Sequence, residues 1–299
     1  MRKFQFFSSF FIKVFAILFM TLDHVGVLLK YLYPYSNDIN VLAMVLRSFG
    51  RLALPLFIFM IVEGVIHTKS IKKYFIRLGV LAILISMVIA IITYVDFSKD
   101  TNFIEGSGNI FLDLLLVALS IYLLRNENKN MRWFILLPIS ISILSFIVKC
   151  LENSNNIIIH WYPTFLYLHG DWYSLFLGIG FYLSYNAAKA YIDNQKETQG
   201  IDPSIWETNG NYRLLVGGFQ IIVLFIGSIL LYLFKYLWPT GVYWDVEIQL
   251  CAIISGAFIL LYNGKRGYNA KWFQYGAYLY YPLHILLLGA IYLIISGGL

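Results

Sequence analysis

The sequence predicts an all-α, polytopic membrane protein, with about nine transmembrane helices in one bundle and the N-terminus in the cytoplasm. Three observations predict it. Hydrophobic residues fill 60% of the 299 positions and charged residues only 13%, with a mean hydropathy of +0.72; a soluble domain carries roughly a quarter charged residues. Apolar runs of roughly 20 residues recur between short polar loops, the length a helix needs to cross hydrocarbon. The cations also gather in alternate loops, as the positive-inside rule requires. A β-barrel would alternate apolar and polar residues in short segments, whereas these runs are continuous.

Taken in order, the spans lie near residues 9–32, 43–65, 75–95, 109–124, 132–150, 171–187, 213–235, 246–262 and 273–297. The first carries Asp23-His24 in its apolar run and no small-residue cleavage site after it, so it reads as a retained helix rather than a signal peptide. With the N-terminus inside, the inner loops hold Lys69, Lys72, Lys73 and Arg77; Arg125, Lys129 and Arg132; Lys189, Lys196 and Arg213; and Lys265, Arg266 and Lys271. The outer loops hold Lys99, Lys149 and Lys235, with Lys30 near a helix end. An odd number of spans puts the C-terminus outside. Segment 186–212 is a polar inner loop with room for a short helix. Segment 151–170, rich in Ile, Trp and Tyr, reads as interfacial or re-entrant. No loop is long enough for a second domain, so residues 1–299 form a single transmembrane domain.

The net charge of +6 sits in particular loops and reports topology, not a nucleic-acid partner. Cys150 and Cys251 have no metal or redox spacing. They read as two unpaired apolar cysteines, with a disulfide as the alternative, and no metal is expected.

Ionisable residues inside hydrocarbon are costly and face a bundle interior or an aqueous cavity. Here they include Asp23, His24, Arg47, Arg51, Glu63, Asp113, Asp171, Asp245, Glu247 and His284. The hairpin of the first two spans turns near residues 37–38, so His24 and Arg51 share a depth. His24 lies roughly 16 Å past Lys13 and His284 roughly 20 Å past Lys271, at 1.5 Å per residue. Two histidines and an arginine therefore converge on one layer. Arg47 and Arg51, spaced i and i+4, need counter-anions, for which Asp23, Asp113 and Asp171 are available. Glu63 and His67 are spaced to pair with each other. Structural ion pairing inside the bundle is the plain alternative for each of these residues.

Five motifs, "MTLDHVG", "RLALPLFIFMIVEGVIHTKSIKKYFIRL", "HGDWYSLFLGIGFYLSYN", "LLYNGKRG" and "YLYYPLHILLL", occur in an order that resembles the TraX family over nearly the whole chain. That family is named for a protein that acetylates the N-terminus of a conjugative pilin. It is similar in turn to the acyltransferase-3 enzymes and to heparan-α-glucosaminide N-acetyltransferase. The resemblance implies a membrane O- or N-acetyltransferase that takes acetyl from cytoplasmic acetyl-CoA to an extracytoplasmic glycan, polymer, lipid or protein acceptor at the plasma membrane. It implicates Asp23, His24, Arg51, Glu63, His67, Asp171, Asn263, Arg266, Tyr281 and His284. Asp113 stands where the family pattern leads one to expect a hydroxyl residue.

In this reading Lys72, Lys73, Arg77, Asn263, Lys265 and Arg266 bind the donor's phosphates, with Gly264 and Gly267 letting the backbone approach. His24 acts as general base or as the acetyl carrier. Arg51 or Arg47 stabilises the oxyanion, and His284 binds the acceptor or orients His24. An ion-coupled transporter using the same Asp/His/Arg cluster is the alternative, and a non-catalytic scaffold the third. A transporter predicts repeat symmetry with helices broken at matching positions, and the sequence has neither.

Overall fold

The computed structural model describes residues 5–95, 108–155, 159, 161–208, 211–242 and 244–296. Lys99, residues 156–158 and 160 of the 151–170 segment and the last residue of the final expected span fall outside them. Among the described residues the protein is all helical, apart from one isolated parallel bridge between Phe7 and Tyr262. Among the described residues, five helical stretches are long and apolar enough to cross a membrane: Ser9–Leu32, Asn37–His67, Lys129–Asn155, Asn211–Leu237 and Lys271–Ile295.

Helix α1 (Ser9–Leu32) has no side-chain cap. Its first orphan N–H groups are taken instead by the loop before the last helix, with Ser9 donating to the Lys265 carbonyl at 2.8 Å and Phe10 to that of Arg266 at 3.1 Å. The chain turns at residues 33–36, and α1 packs closely along α2 (Asn37–Gly50). Here the expected continuous span is broken. Helix α3 (Ala53–His67) begins after Arg51-Leu52, and Leu52 bonds back only three residues, to Phe49 at 3.1 Å. Pro55 explains the break: it has no N–H to offer the Arg51 carbonyl four residues earlier.

Helices α4 (Ile71–Val95) and α5 (Ile110–Leu124) follow. Asn109 caps α5, its Oδ1 accepting from Phe111 and Leu112, while its Nδ2 donates to the Ala82 carbonyl at 2.6 Å and to Ser86 Oγ at 2.9 Å. One buried amide thus starts α5 and ties it to α4. A short turn α6 (Lys129–Arg132) leads into α7 (Leu136–Asn155), so the helix runs past the expected end at residue 150. Helix α8 (Asp171–Gln199) exceeds its expected end at residue 187 by three turns and stops at Gly200, whose φ is 65°. The short helix expected in 186–212 is α9 (Ser204–Thr208).

Helix α10 (Asn211–Leu237) precedes a broken stretch of α11 (Val246–Gln249), a 3₁₀ segment and α12 (Ser255–Leu260). The bundle ends with α13 (Lys271–Ile295), which contains Pro282 and packs chiefly against α1. The core runs through α1, α3, α5 and α8, around Ile12, Leu56, Phe59, Val117, Tyr173 and Phe181. Cys150 is buried and both cysteines are free.

Replacing Asn109 with alanine removes the cap and both ties to α4. The expected cost is about 2 kcal/mol or more, read as a lower thermal-unfolding midpoint in detergent. An unchanged midpoint would show that this amide does not hold α4 to α5.

Candidate functional site

A cavity of about 950 Å³ runs down the inside of α1, bounded by α3, α4, α5 and α13. Along α1 it is lined from Ser9 to His24, a length of roughly 22 Å at 1.5 Å per residue. At the end where α1 begins, its rim carries Lys13, Lys69, Lys73, Arg77 and Arg266. At the deep end stand Asp23, His24, Gly50, Arg51, His169 and Gln249. Between them the wall is mostly apolar and aromatic, with Met60, Phe57, Leu114, Tyr278 and Tyr281.

The deep end is organised by one ion pair. Arg51 Nη2 donates to Asp23 Oδ1 at 2.7 Å, both side chains being largely buried. This contact fixes the level at which α1 meets the α2–α3 break. Gly50 permits it, since a Cβ there would overlap the Asp23 side chain. Arg51 Nε is buried with no protein partner among the described residues.

Next to this pair, two histidines meet across helices. His24 Nδ1 lies 2.8 Å from the Met20 carbonyl and 3.3 Å from His284 Nε2, and His284 Nδ1 lies 2.9 Å from the Tyr280 carbonyl. A carbonyl only accepts, so both Nδ1 atoms carry the protons. His284 Nε2 then faces the His24 N–H as acceptor, and His24 is left with a bare Nε2. His24 lines the cavity, whereas His284 is buried behind it. Tyr280 stacks on His284 at 5.1 Å, its hydroxyl 2.8 Å from Thr21 Oγ, and Tyr281 stands edge-on to both imidazoles.

Near the rim a second cluster joins three helices, α3, α8 and α10. Glu63, 4% exposed, accepts from Arg213 Nη1 at 2.9 Å and from the Tyr185 hydroxyl, and lies 3.5 Å from His67. The pairing expected of Glu63 and His67 is present, but Arg213 from α10 is the stronger partner. Arg213 was placed in a loop by sequence alone, and nothing in its local pattern signals this role.

Several expected placements are corrected. Asp113 and Asp171 do not neutralise Arg47 or Arg51. Arg47 pairs with Asp245 at 2.7 Å; Asp113 accepts the backbone N–H groups of His169 and Gly170; and Asp171 pairs with Lys149 at 3.1 Å. Lys149, read as an outer-loop cation, is only 6% exposed because it follows this carboxylate into the bundle. Of the six expected donor-binding residues, Lys73, Arg77 and Arg266 line the cavity, and Lys72, Asn263 and Lys265 do not. Asn263 is turned back on its own loop, its Oδ1 accepting from the Lys265 N–H at 2.9 Å and its Nδ2 donating to the Phe6 carbonyl. Gly264, at φ 72°, and Gly267, at φ 69°, form the turns that bring this loop to the start of α1.

Lys13, Lys69 and His169 line the cavity without having been singled out. His169 stands in the quoted "HGDW" motif, where Asp171 drew the attention. No group of three or more His, Cys, Asp or Glu able to hold a metal occurs among the described residues.

The family model described as "TraX protein" matches residues 8–196. The chain belongs to the TraX family. It is also 26% identical over 286 residues to "Probable fimbrial assembly protein FimC, serogroup H1" of Dichelobacter nodosus, covering 94% of each chain. No solved structure matches. A family member with five helices able to cross a membrane reads as a membrane protein, and the ion-coupled transporter is not favoured.

Burial, followed by the positive charges of Lys149 and Arg51 and opposed by Asp23, pushes His169 down to about 3. The unfolded chain binds this proton below a pKa of about 6.5 and the folded chain does not. His169 therefore contributes stability above that pH, and the contribution is lost progressively as the pH falls from 6.5 toward 3. Thermal midpoints across this window should fall less steeply for His169→Gln than for the wild type, and equal slopes would contradict the burial of this ring. Lys149→Met strands the Asp171 carboxylate in the bundle and should cost about 3–5 kcal/mol. The double variant Lys149→Met/Asp171→Asn should recover much of that loss in the same melt.

Proposed function

We propose that this TraX-family protein is a membrane acetyltransferase that moves an acetyl group from cytoplasmic acetyl-CoA to an amine or hydroxyl acceptor beyond the membrane. The finer topology belongs to the same reading: about nine spans in the plasma membrane, with the N-terminus cytoplasmic and the basic rim on the inner face. So does the kinship with the acyltransferase-3 enzymes. The observation that carries the proposal is the cavity itself, which joins a rim of five cations to the bare Nε2 of His24. Its volume is at the upper end of the roughly 300–1,000 Å³ usual for small-molecule sites. The shape suits an elongated ligand with phosphates at one end and a thioester at the other.

In this mechanism Lys13, Lys69, Lys73, Arg77 and Arg266 hold the phosphates by charge-assisted hydrogen bonds. The pantetheine arm lies along the apolar wall and brings the thioester carbonyl to the level of Asp23–Arg51. The acceptor heteroatom attacks that carbonyl while His24 Nε2 takes its proton. The carbonyl oxygen carries the developing negative charge, and Arg51, whose guanidinium lines the cavity, stabilises it in a site largely shielded from water. Collapse breaks the C–S bond, and the proton on His24 passes to the departing thiolate. The products are the acetylated acceptor and free thiol. His284 orients His24 by accepting from its Nδ1 side, and Asp23 holds Arg51 rather than the imidazole.

Calorimetry with acetyl-CoA on the detergent-purified protein tests the donor site. Lys73→Ala/Arg77→Ala should weaken binding about tenfold or more through lost charged hydrogen bonds. His24→Ala should keep binding but lose about 100-fold or more of acetyl transfer. Folded wild-type protein that takes up no acetyl-CoA would overturn the proposal.

A further inference from the structure

Three buried ionisable residues, Asp113, Lys149 and Asp171, have no part in the chemistry above. They all act on one short stretch, residues 168–171. Asp113 Oδ2 accepts the His169 N–H at 2.6 Å, and both its oxygens lie 3.2 Å from the Gly170 nitrogen. Lys149 donates to the Leu168 carbonyl and to Asp171 Oδ2. Ser145 Oγ accepts the Leu168 N–H at 3.1 Å and donates to Asp171 Oδ1 at 2.5 Å. Asp171 itself has φ 46°, a left-handed conformation that non-glycine residues rarely adopt and that is concentrated at functional sites.

Taking charges out of water costs several kcal/mol per ion. A helix N-terminus can be capped without such charges. This network holds the N–H and carbonyl of Leu168 and the N–H groups of His169 and Gly170 in one geometry, and its product is the position of His169. That ring lines the cavity beside Arg51, Asp23 and His24 and makes no hydrogen bond to the protein among the described residues.

We propose that His169 binds the acceptor: it meets the incoming amine or hydroxyl at the deep end of the cavity, on the side away from the basic rim. Asp113 and the Lys149–Asp171 pair are positioning residues for it. This inference rests on the acetyl-transfer reading. An uncharged imidazole can hydrogen-bond the acceptor heteroatom whose proton points to His24, without adding a charge beside Arg51. Donor and acceptor then approach the Asp23–Arg51 layer from opposite ends, and neither has to leave before the other arrives.

Cysteine accessibility in membrane vesicles of both orientations tests this without knowledge of the acceptor. In a Cys150→Ser/Cys251→Ser background, His169→Cys is compared with Met60→Cys on the donor path, using a membrane-impermeant maleimide. His169→Cys should label from the face opposite the basic rim, at a rate that acetyl-CoA leaves unchanged. Met60→Cys should label from the rim face and be protected by acetyl-CoA. Adding Asp113→Asn should change the His169→Cys rate about tenfold, as the loss of a charged hydrogen bond predicts, and leave Met60→Cys unaltered. Labelling of His169→Cys only from the rim face, protection of it by acetyl-CoA, or labelling from neither face would overturn the assignment. Failure of acetyl-CoA to protect Met60→Cys would instead count against the donor reading, whatever His169→Cys does.

Discussion

The Arg51–Asp23 ion pair sets the geometry on which the rest of the cavity depends. In an apolar bundle neither charge is tolerable alone, so pairing them fixes the level of α1 against the α2–α3 break. Pro55 opens the helix at that level, and Gly50 lets Asp23 approach. His24, next in sequence to Asp23, is thereby placed one helical step around α1. From there it faces the cavity on one side and His284 on the other. A structural ion pair and a reactive imidazole are in this way parts of one arrangement.

The same rule, that buried charge must be matched, shapes the rest of the molecule. Glu63 draws Arg213 across from α10, and Arg47 draws Asp245 from the segment before α11. Lys149 and Asp171 pair at the start of α8. Each pair joins two separate elements of the bundle. Five cations with no ion pair among the described residues, Lys13, Lys69, Lys73, Arg77 and Arg266, stand instead at the rim, where an anionic ligand would find them.

The helical character and the apolar run lengths were legible because they follow from composition and local periodicity. The shared depth of His24, Arg51 and His284 was legible too, since a tight hairpin and a fixed rise per residue make depth a matter of counting. The direction of each side chain was not. Asp113 and Asp171 looked like counter-ions for the arginines because any carboxylate at that depth qualifies. Only the packing of α5, α7 and α8 shows that they serve the 168–171 backbone and Lys149 instead. Lys149 and Arg213 read as loop cations because each stands at the very end of its expected span, where a long basic side chain ordinarily reaches back to water.

By itself the sequence determined an all-helical chain with membrane-crossing helices, a set of intramembrane charges and the layer at which two of its histidines lie. These follow from hydrophobicity and helix rise, which are local properties. The tertiary structure alone decided which cation meets which anion, which face of α1 lines a cavity and that His169 belongs to it. Such choices depend on rotation about helix axes and on contacts between residues as much as 260 positions apart. In hydrocarbon a charge must find its partner wherever the fold supplies one, and no local pattern records where that is.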